Sequence, residues 1–268
     1  MNRLLLPVSA GLATVLLVAG CGSTSSKTSA AGSSSGTATS SGSMSSSASA
    51  SMGGSGSSGA SGSASASPDA EVTALLAKAK TAVTSADQVH LKGDGVSDSK
   101  KIGMDIGYKG SDASGTVVFD GGTIKVLKLN GVVYFKADDA FWKTAAGSSA
   151  ATLIAKLKHR WVKVDGTSSS MASFGEFADR SKFVSSVLDP SGTITKGQDK
   201  TVDGIDCSSL VDGTQGTLYL SKADDRPIQI SSSESGNSGQ LDFTYSGVTI
   251  PSAPTGANVV AASQLGVS

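Results

Sequence analysis

The feature that most constrains this 268-residue chain is a stretch that cannot fold. From Gly22 to Ser67 the sequence is almost wholly Ser, Gly, Ala and Thr, broken only by Lys27, Met44 and Met52. Such residues bury too little apolar area to offset chain entropy, so the segment is expected to be a disordered tether. A coil of about 46 residues spans roughly 35–40 Å r.m.s. and about 150 Å at full extension. The composition also suits a glycosylated stalk, and sequence alone does not separate the two. Folding is therefore confined to the residues after Pro68. Residues 69–250 are expected to form a single domain of roughly 180 residues, large enough to bury a core without disulfide staples. The tail 251–268 has two prolines and few apolar anchors, and is expected to be loose.

Residues 1–20 have the layout of a secretory signal peptide. Arg3 supplies a positive start, and an apolar run from Leu4 to Ala19 is interrupted only by Pro7, Ser9, Gly11 and Thr14. The run is shorter than the ~20 residues that span a bilayer and carries an early proline. Val18-Ala19-Gly20-Cys21 resembles the lipobox of bacterial lipoproteins. That resemblance implies cleavage before Cys21 and a diacylglyceryl thioether on its sulfur, making Cys21 the lipid anchor and 21–68 a lipidated tether. The alternative is an ordinary export signal with an incidental cysteine. Two or three acyl chains hold a protein to a membrane durably, at ~0.8 kcal/mol per buried CH₂. With only two cysteines in the chain, a lipidated Cys21 leaves Cys207 unable to form an internal disulfide. The Ser/Gly tether resembles those of single-membrane actinobacteria, which places the chain on the extracytoplasmic face of the plasma membrane.

Within the domain, a helix is expected after Pro68, capped by Asp69, with Val72, Leu75, Leu76, Ala79 and Val83 on one stripe. Alternating segments at 89–97, 101–110 and 115–121 predict strands, and 123–138 predicts a hairpin turning at Asn130-Gly131. Helical spacing comes next over 138–160, starting at Asp138 or Asp139, and again over 168–190, stopping before Pro190. The short strand 161–164 lies between them. Strands are expected again at 194–202, 205–213, 216–222, 228–235 and 238–247. The fold class is thus α+β: a strongly curved antiparallel half-barrel of about eleven strands, with helices covering its concave face. Ser208-Ser209 and Ser231-Ser232-Ser233 are expected to face water.

The helical insert carries the candidate ligand-lining residues: Phe141, Trp142, Leu153, Ile154, Leu157, Met171, Phe174, Phe177, Phe183 and Leu188. Taken singly, each of these residues suits a closed core better than a ligand slot. Lys156, Lys158, His159, Arg160 and Lys163 form a basic cluster. Its two readings are contact with anionic headgroups, through Lys156, Lys158, Arg160 and Lys163, and a helix end complementing its own dipole. Formal net charge is zero, which leaves no basic field for nucleic acid. Neither of the two histidines has metal-ligand spacing, and no nucleophile elbow or Cys/His pairing is visible. Cys207 alternates as a buried small apolar residue. Nothing points to an enzyme, a metal or a cofactor.

The last third, through Val202-Asp203-Gly204, Thr217-Leu218-Tyr219, Asp225-Arg226-Pro227, Asp242-Phe243 and Pro251, resembles the actinobacterial LppX/LprG-type lipoproteins of the LolA/LolB-like group. The segment NGVVYFKADDAFWK resembles that family's hairpin and helix start. The resemblance is one of order and spacing. It implies a half-barrel over helices with an apolar cavity that holds an acyl-chain lipid or lipoglycan in transit across the envelope. It also implies a monomer, tethered by its N-terminal lipid, with an envelope transport protein as partner. The alternative function is a non-carrier envelope lipoprotein that acts as a protein-interaction scaffold.

Overall fold

The computed structural model describes residues 68–164, 172–190, 192–213, 216–234 and 237–265, apart from the side chains of 68, 172–174 and 234. The signal peptide 1–20, Cys21, the tether as far as Ser67, and Met171 lie outside the described residues.

The domain opens with helix α1 (Pro68–Ser85). Proline suits a first helical position, so the helix begins one residue earlier than expected. Asp69 lies inside the first turn with Glu71, where both carboxylates face the positive end of the dipole. Val72, Ala79 and Val83 are buried, with Leu75 and Leu76 packed beside them, as the stripe predicts.

Five strands come next: β1 (Gln88–Ser97), β2 (Lys100–Lys109), β3 (Asp112–Phe119), β4 (Gly122–Leu129) and β5 (Val132–Ala137). Then come α2 (Asp139–Ala146), α3 (Ala150–Leu157), β6 (Trp161–Val164), α4 (Ala172–Phe177) and α5 (Arg180–Val187). The chain closes with β7 (Ile194–Lys196), β8 (Lys200–Val202), β9 (Ile205–Asp212), β10 (Gly216–Ser221), β11 (Pro227–Glu234), β12 (Asn237–Thr244) and β13 (Val259–Ala261). The strands form one curved 13-stranded sheet in the order β13-β6-β5-β4-β3-β2-β1-β12-β11-β10-β9-β7, with β8 also paired to β9. All pairings are antiparallel except β13 with β6, so the sheet is mixed. The architecture is the expected α+β half-barrel.

The hairpins explain the antiparallel run. Asp98-Ser99, Asp120-Gly121, Asn130-Gly131 and Asp203-Gly204 all hold positive φ at both residues, the two-residue turn that matches strand twist. Alternation then sets the register. Val89 and Leu91 of β1, with Ile102, Met104, Ile106 and Tyr108 of β2, are buried on the concave side.

The strand count exceeds the expected eleven for two reasons. The segment 194–202 breaks at Gly197 into β7 and β8, both paired to β9. The tail, expected to be loose, adds β13 beside β6 and buries Val260, Ala262 and Leu265. Ser209 also departs from expectation. It is buried beneath the crossing between β7 and β8, and its hydroxyl donates to the Gln198 carbonyl at 2.8 Å. The same region covers a small apolar cluster of Val202, Cys207 and Ile228 with Tyr219.

Helix breaks obey capping chemistry. Gly147 at positive φ ends α2, and Lys158 in the left-handed region ends α3. Asp179 divides α4 from α5, its carboxylate accepting from Lys182 N–H at 3.1 Å. Asp138 serves two donors: one oxygen accepts from Phe141 N–H at 2.8 Å, the other from Thr123 N–H at 3.0 Å. Asp138→Ala removes a cap and strands a part-buried donor. The expected cost is about 2 kcal/mol, half from the cap and half from the donor, read as a lowered urea midpoint at unchanged slope.

Candidate functional site

The helices fill the two flanks of the concave face unequally. Over β4 and β5, α2 brings Phe141 and Trp142 onto Phe135, with ring centroids 5.2 Å apart for Phe141–Trp142 and 6.1 Å for Phe135–Trp142. Over β2, Phe183 stands 6.4 Å from Tyr108 and 6.3 Å from Phe177, centroid to centroid. The buried Tyr108 hydroxyl donates to the Phe177 carbonyl at 2.7 Å. Burial first, and the Asp179 charge second, hold this phenol well above the ordinary tyrosine range. This flank is a closed core.

Beyond it β1 and β12 approach each other closely. A methyl on Gly93 would stand 2.1 Å from the Gln240 carbonyl oxygen, and one on Gly95 would stand 2.6 Å from that of Ser238. Only glycine permits so close an approach of two strands, and it leaves no side chain on the inner wall. The consequence is an apolar trough beneath the C-terminal end of α5. One compartment, about 510 Å³ with its share of open solvent, is lined by Gly93, Gly95, Ile102, Met104, Val187, Ile230 and Leu241. A second, about 360 Å³ on the same basis, is lined by Leu76, Val187, Leu188, Ile194, Leu210, Leu218 and Ile230. Val187 and Ile230 belong to both. Polar groups join the walls: Ser97, Ser238 and Gln240 in the first compartment, Asp212 and Thr217 in the second.

The predicted lining residues divide between these environments. Phe141, Trp142, Leu157, Phe177 and Phe183 are buried in the main core, with Leu153 and Ile154 packed against it. None of these seven lines either compartment. Leu188 does line the second. Phe174 lies in α4, with its side chain outside the described residues. The trough's other walls, Met104, Val187, Ile230 and Leu241, look like ordinary sheet or helix core in sequence. The available signal was the pair of glycines at inward-facing alternate positions of β1.

Within the basic cluster, Arg160 serves its own helix end. The Arg160 guanidinium donates to the Leu157 and Lys156 carbonyls at 3.1 and 2.7 Å, the last acceptors of α3. Lys156, Lys158 and Lys163 are exposed, and His159 lies 3.7 Å from Asp139. None of them lines the trough. His90 is on the convex face, 2.7 Å from Asp105. Among the described residues, no three His, Cys, Asp or Glu side chains converge as a metal site, and no helix is long and apolar enough to cross a membrane.

No protein-family model and no curated protein matches the chain. Solved structures do. LprF from Mycobacterium bovis aligns at 12% identity over 68% of this chain and 96% of its own, with a TM-score of 0.39. The lipoprotein LppX from Mycobacterium tuberculosis aligns at 11% identity over 68% and 98%, with a TM-score of 0.37. A putative outer-membrane lipoprotein-sorting protein domain from Vibrio parahaemolyticus aligns at 12% over 63% and 88%, with a TM-score of 0.24. These are similarities of fold.

Proposed function

We propose that this chain is an envelope lipoprotein, anchored through Cys21 on the extracytoplasmic face of the plasma membrane, that holds the acyl part of a lipid or lipoglycan. The observation that carries this reading is the trough. It is an apolar hollow on the concave face, and Gly93 and Gly95 in its wall let β1 and β12 approach closely. Acyl chains gain roughly 25 cal/mol per Å² on leaving water for such a surface. A tether whose root-mean-square reach is tens of ångströms keeps the hollow near a donor membrane. Binding by burial requires no catalysis, and we assign none. The filled aromatic flank under α2 supports a second reading, an anchored scaffold whose outer surface meets another envelope protein.

Native mass spectrometry of the intact protein, released from membranes of a host that lipidates it, separates the two. The expected spectrum shows the anchored chain with one co-purifying acylated lipid. A spectrum showing only the chain and its own anchor overturns the carrier reading.

A further inference from the structure

Resting on the acyl-binding reading above, we infer that Val187 and Ile230 form a gate that sets the length of chain the trough accepts. Both compartments count these two residues among their walls, one on the last turn of α5 and one on β11. They stand where two hollows meet.

The dimensions make the gate matter. The first compartment crosses β2, β1, β12 and β11, and the second crosses β11, β10, β9 and β7, three inter-strand steps each. At about 4.8 Å per step each is roughly 14 Å long, against about 29 Å for the two joined. One leaflet of a bilayer, the depth one lipid chain covers, is about 15 Å of hydrocarbon. A short chain fits one compartment. A full-length chain must pass between Val187 and Ile230.

The two sides of the gate differ in how they are held. Ile230 sits inside a sheet, with β10 on one side and β12 on the other. Just beyond Val187, Asp189 pairs with Lys80 of α1 at 3.5 Å on the surface, and the other polar attachments of α5 lie at its start. There Arg180 donates to the Ala86 carbonyl, Asp179 caps the first turn, and Lys128 pairs with Asp179 at 3.7 Å. The wall that Val187 shares is mostly apolar, with Leu76, Leu188, Leu210 and Leu218, and Asp212 and Thr217 join it. The helix is hydrogen-bonded at its start, and the Val187 side chain itself meets the trough through dispersion contacts, which a chain methylene can replace.

The test uses the intact protein in membrane vesicles, labelled with photoreactive decanoyl, myristoyl and stearoyl fatty acids and read by mass spectrometry of the cross-linked peptides. Val187→Ala is expected to raise stearoyl over decanoyl labelling about tenfold, the change that accompanies burial of two further methylenes. Val187→Phe is expected to lower that ratio while decanoyl labelling persists. Ile230→Ala, from the opposite wall, is expected to act as Val187→Ala does, which keeps the test informative if the bulky variant does not fold. Length profiles of both alanine variants that match the wild type overturn the gate and leave the carrier reading standing. Absence of labelling by any probe in the wild type overturns the carrier reading, and the gate with it.

Discussion

Truncation after Asn258 is expected to destabilise the domain by about 5 kcal/mol, although it removes only the last ten residues of the chain. Val260 and Leu265 are each 5% exposed and Ala262 is fully buried. Removing a Val and a Leu from such sites forfeits roughly 1.5–3 kcal/mol apiece. The loss of β13 also strips its hydrogen bonds from β6 and exposes that strand as a new edge. Against a total of about 5–15 kcal/mol, this is a large fraction. The thermal midpoint is expected to fall by about 10–20 °C for a domain of this size. An unchanged melting curve would show that the tail is not part of the folded unit. The single substitution Val260→Asp is expected to reproduce most of the loss, because it buries a carboxylate where β13 meets the core.

Alkaline pH is expected to destabilise the domain through its buried tyrosines. The Tyr108 phenol is 1% exposed and donates to a backbone carbonyl. Burial holds its proton far above the ordinary range, with Asp179 reinforcing and Arg180 opposing. Tyr245, half-buried and donating to the Pro227 carbonyl at 2.9 Å, is raised in the same direction, chiefly by burial. In the unfolded chain a tyrosine releases its proton near pH 10. Above that pH the unfolded state holds fewer protons than the native state, so stability falls as pH rises. The contribution is fully present below about pH 10. Tyr108 alone then removes about 1.4 kcal/mol per further pH unit until the native phenol ionises. Urea titrations at stepped pH from 8 to 11 would show the decline. Tyr108→Phe is expected to start lower, by about 1–3 kcal/mol for the carbonyl left unpaired at Phe177, and then to lose less with pH. Parallel pH profiles for the two proteins would refute the role of this phenol.

Much of the architecture is legible along the chain because its causes are local. A Ser/Gly tract lacks apolar area wherever it lies. Asn130-Gly131 turns a hairpin because those residues tolerate positive φ, and Asp138 starts a helix because its carboxylate can reach Phe141 N–H. Alternation within β1 and β2 states which side chains share a face. These are properties of a few consecutive residues, and they determined the element order, the half-barrel and the helical cover.

The hollow has no local cause. Phe141, Trp142 and Phe183 fill space and Gly93 leaves it empty, yet neither follows from the residue itself. Gly93 matters because Gln240, 147 positions further on, passes close enough to forbid a methyl. Ser209 is buried because β7 and β8 cross over it, and the tail is ordered because β6 offers it an open edge. By itself the sequence determined the order and shape of most elements between α1 and β12. Only the tertiary structure decided where the inside is left unfilled, because a void is defined by residues that meet across the sheet and not by their order along the chain.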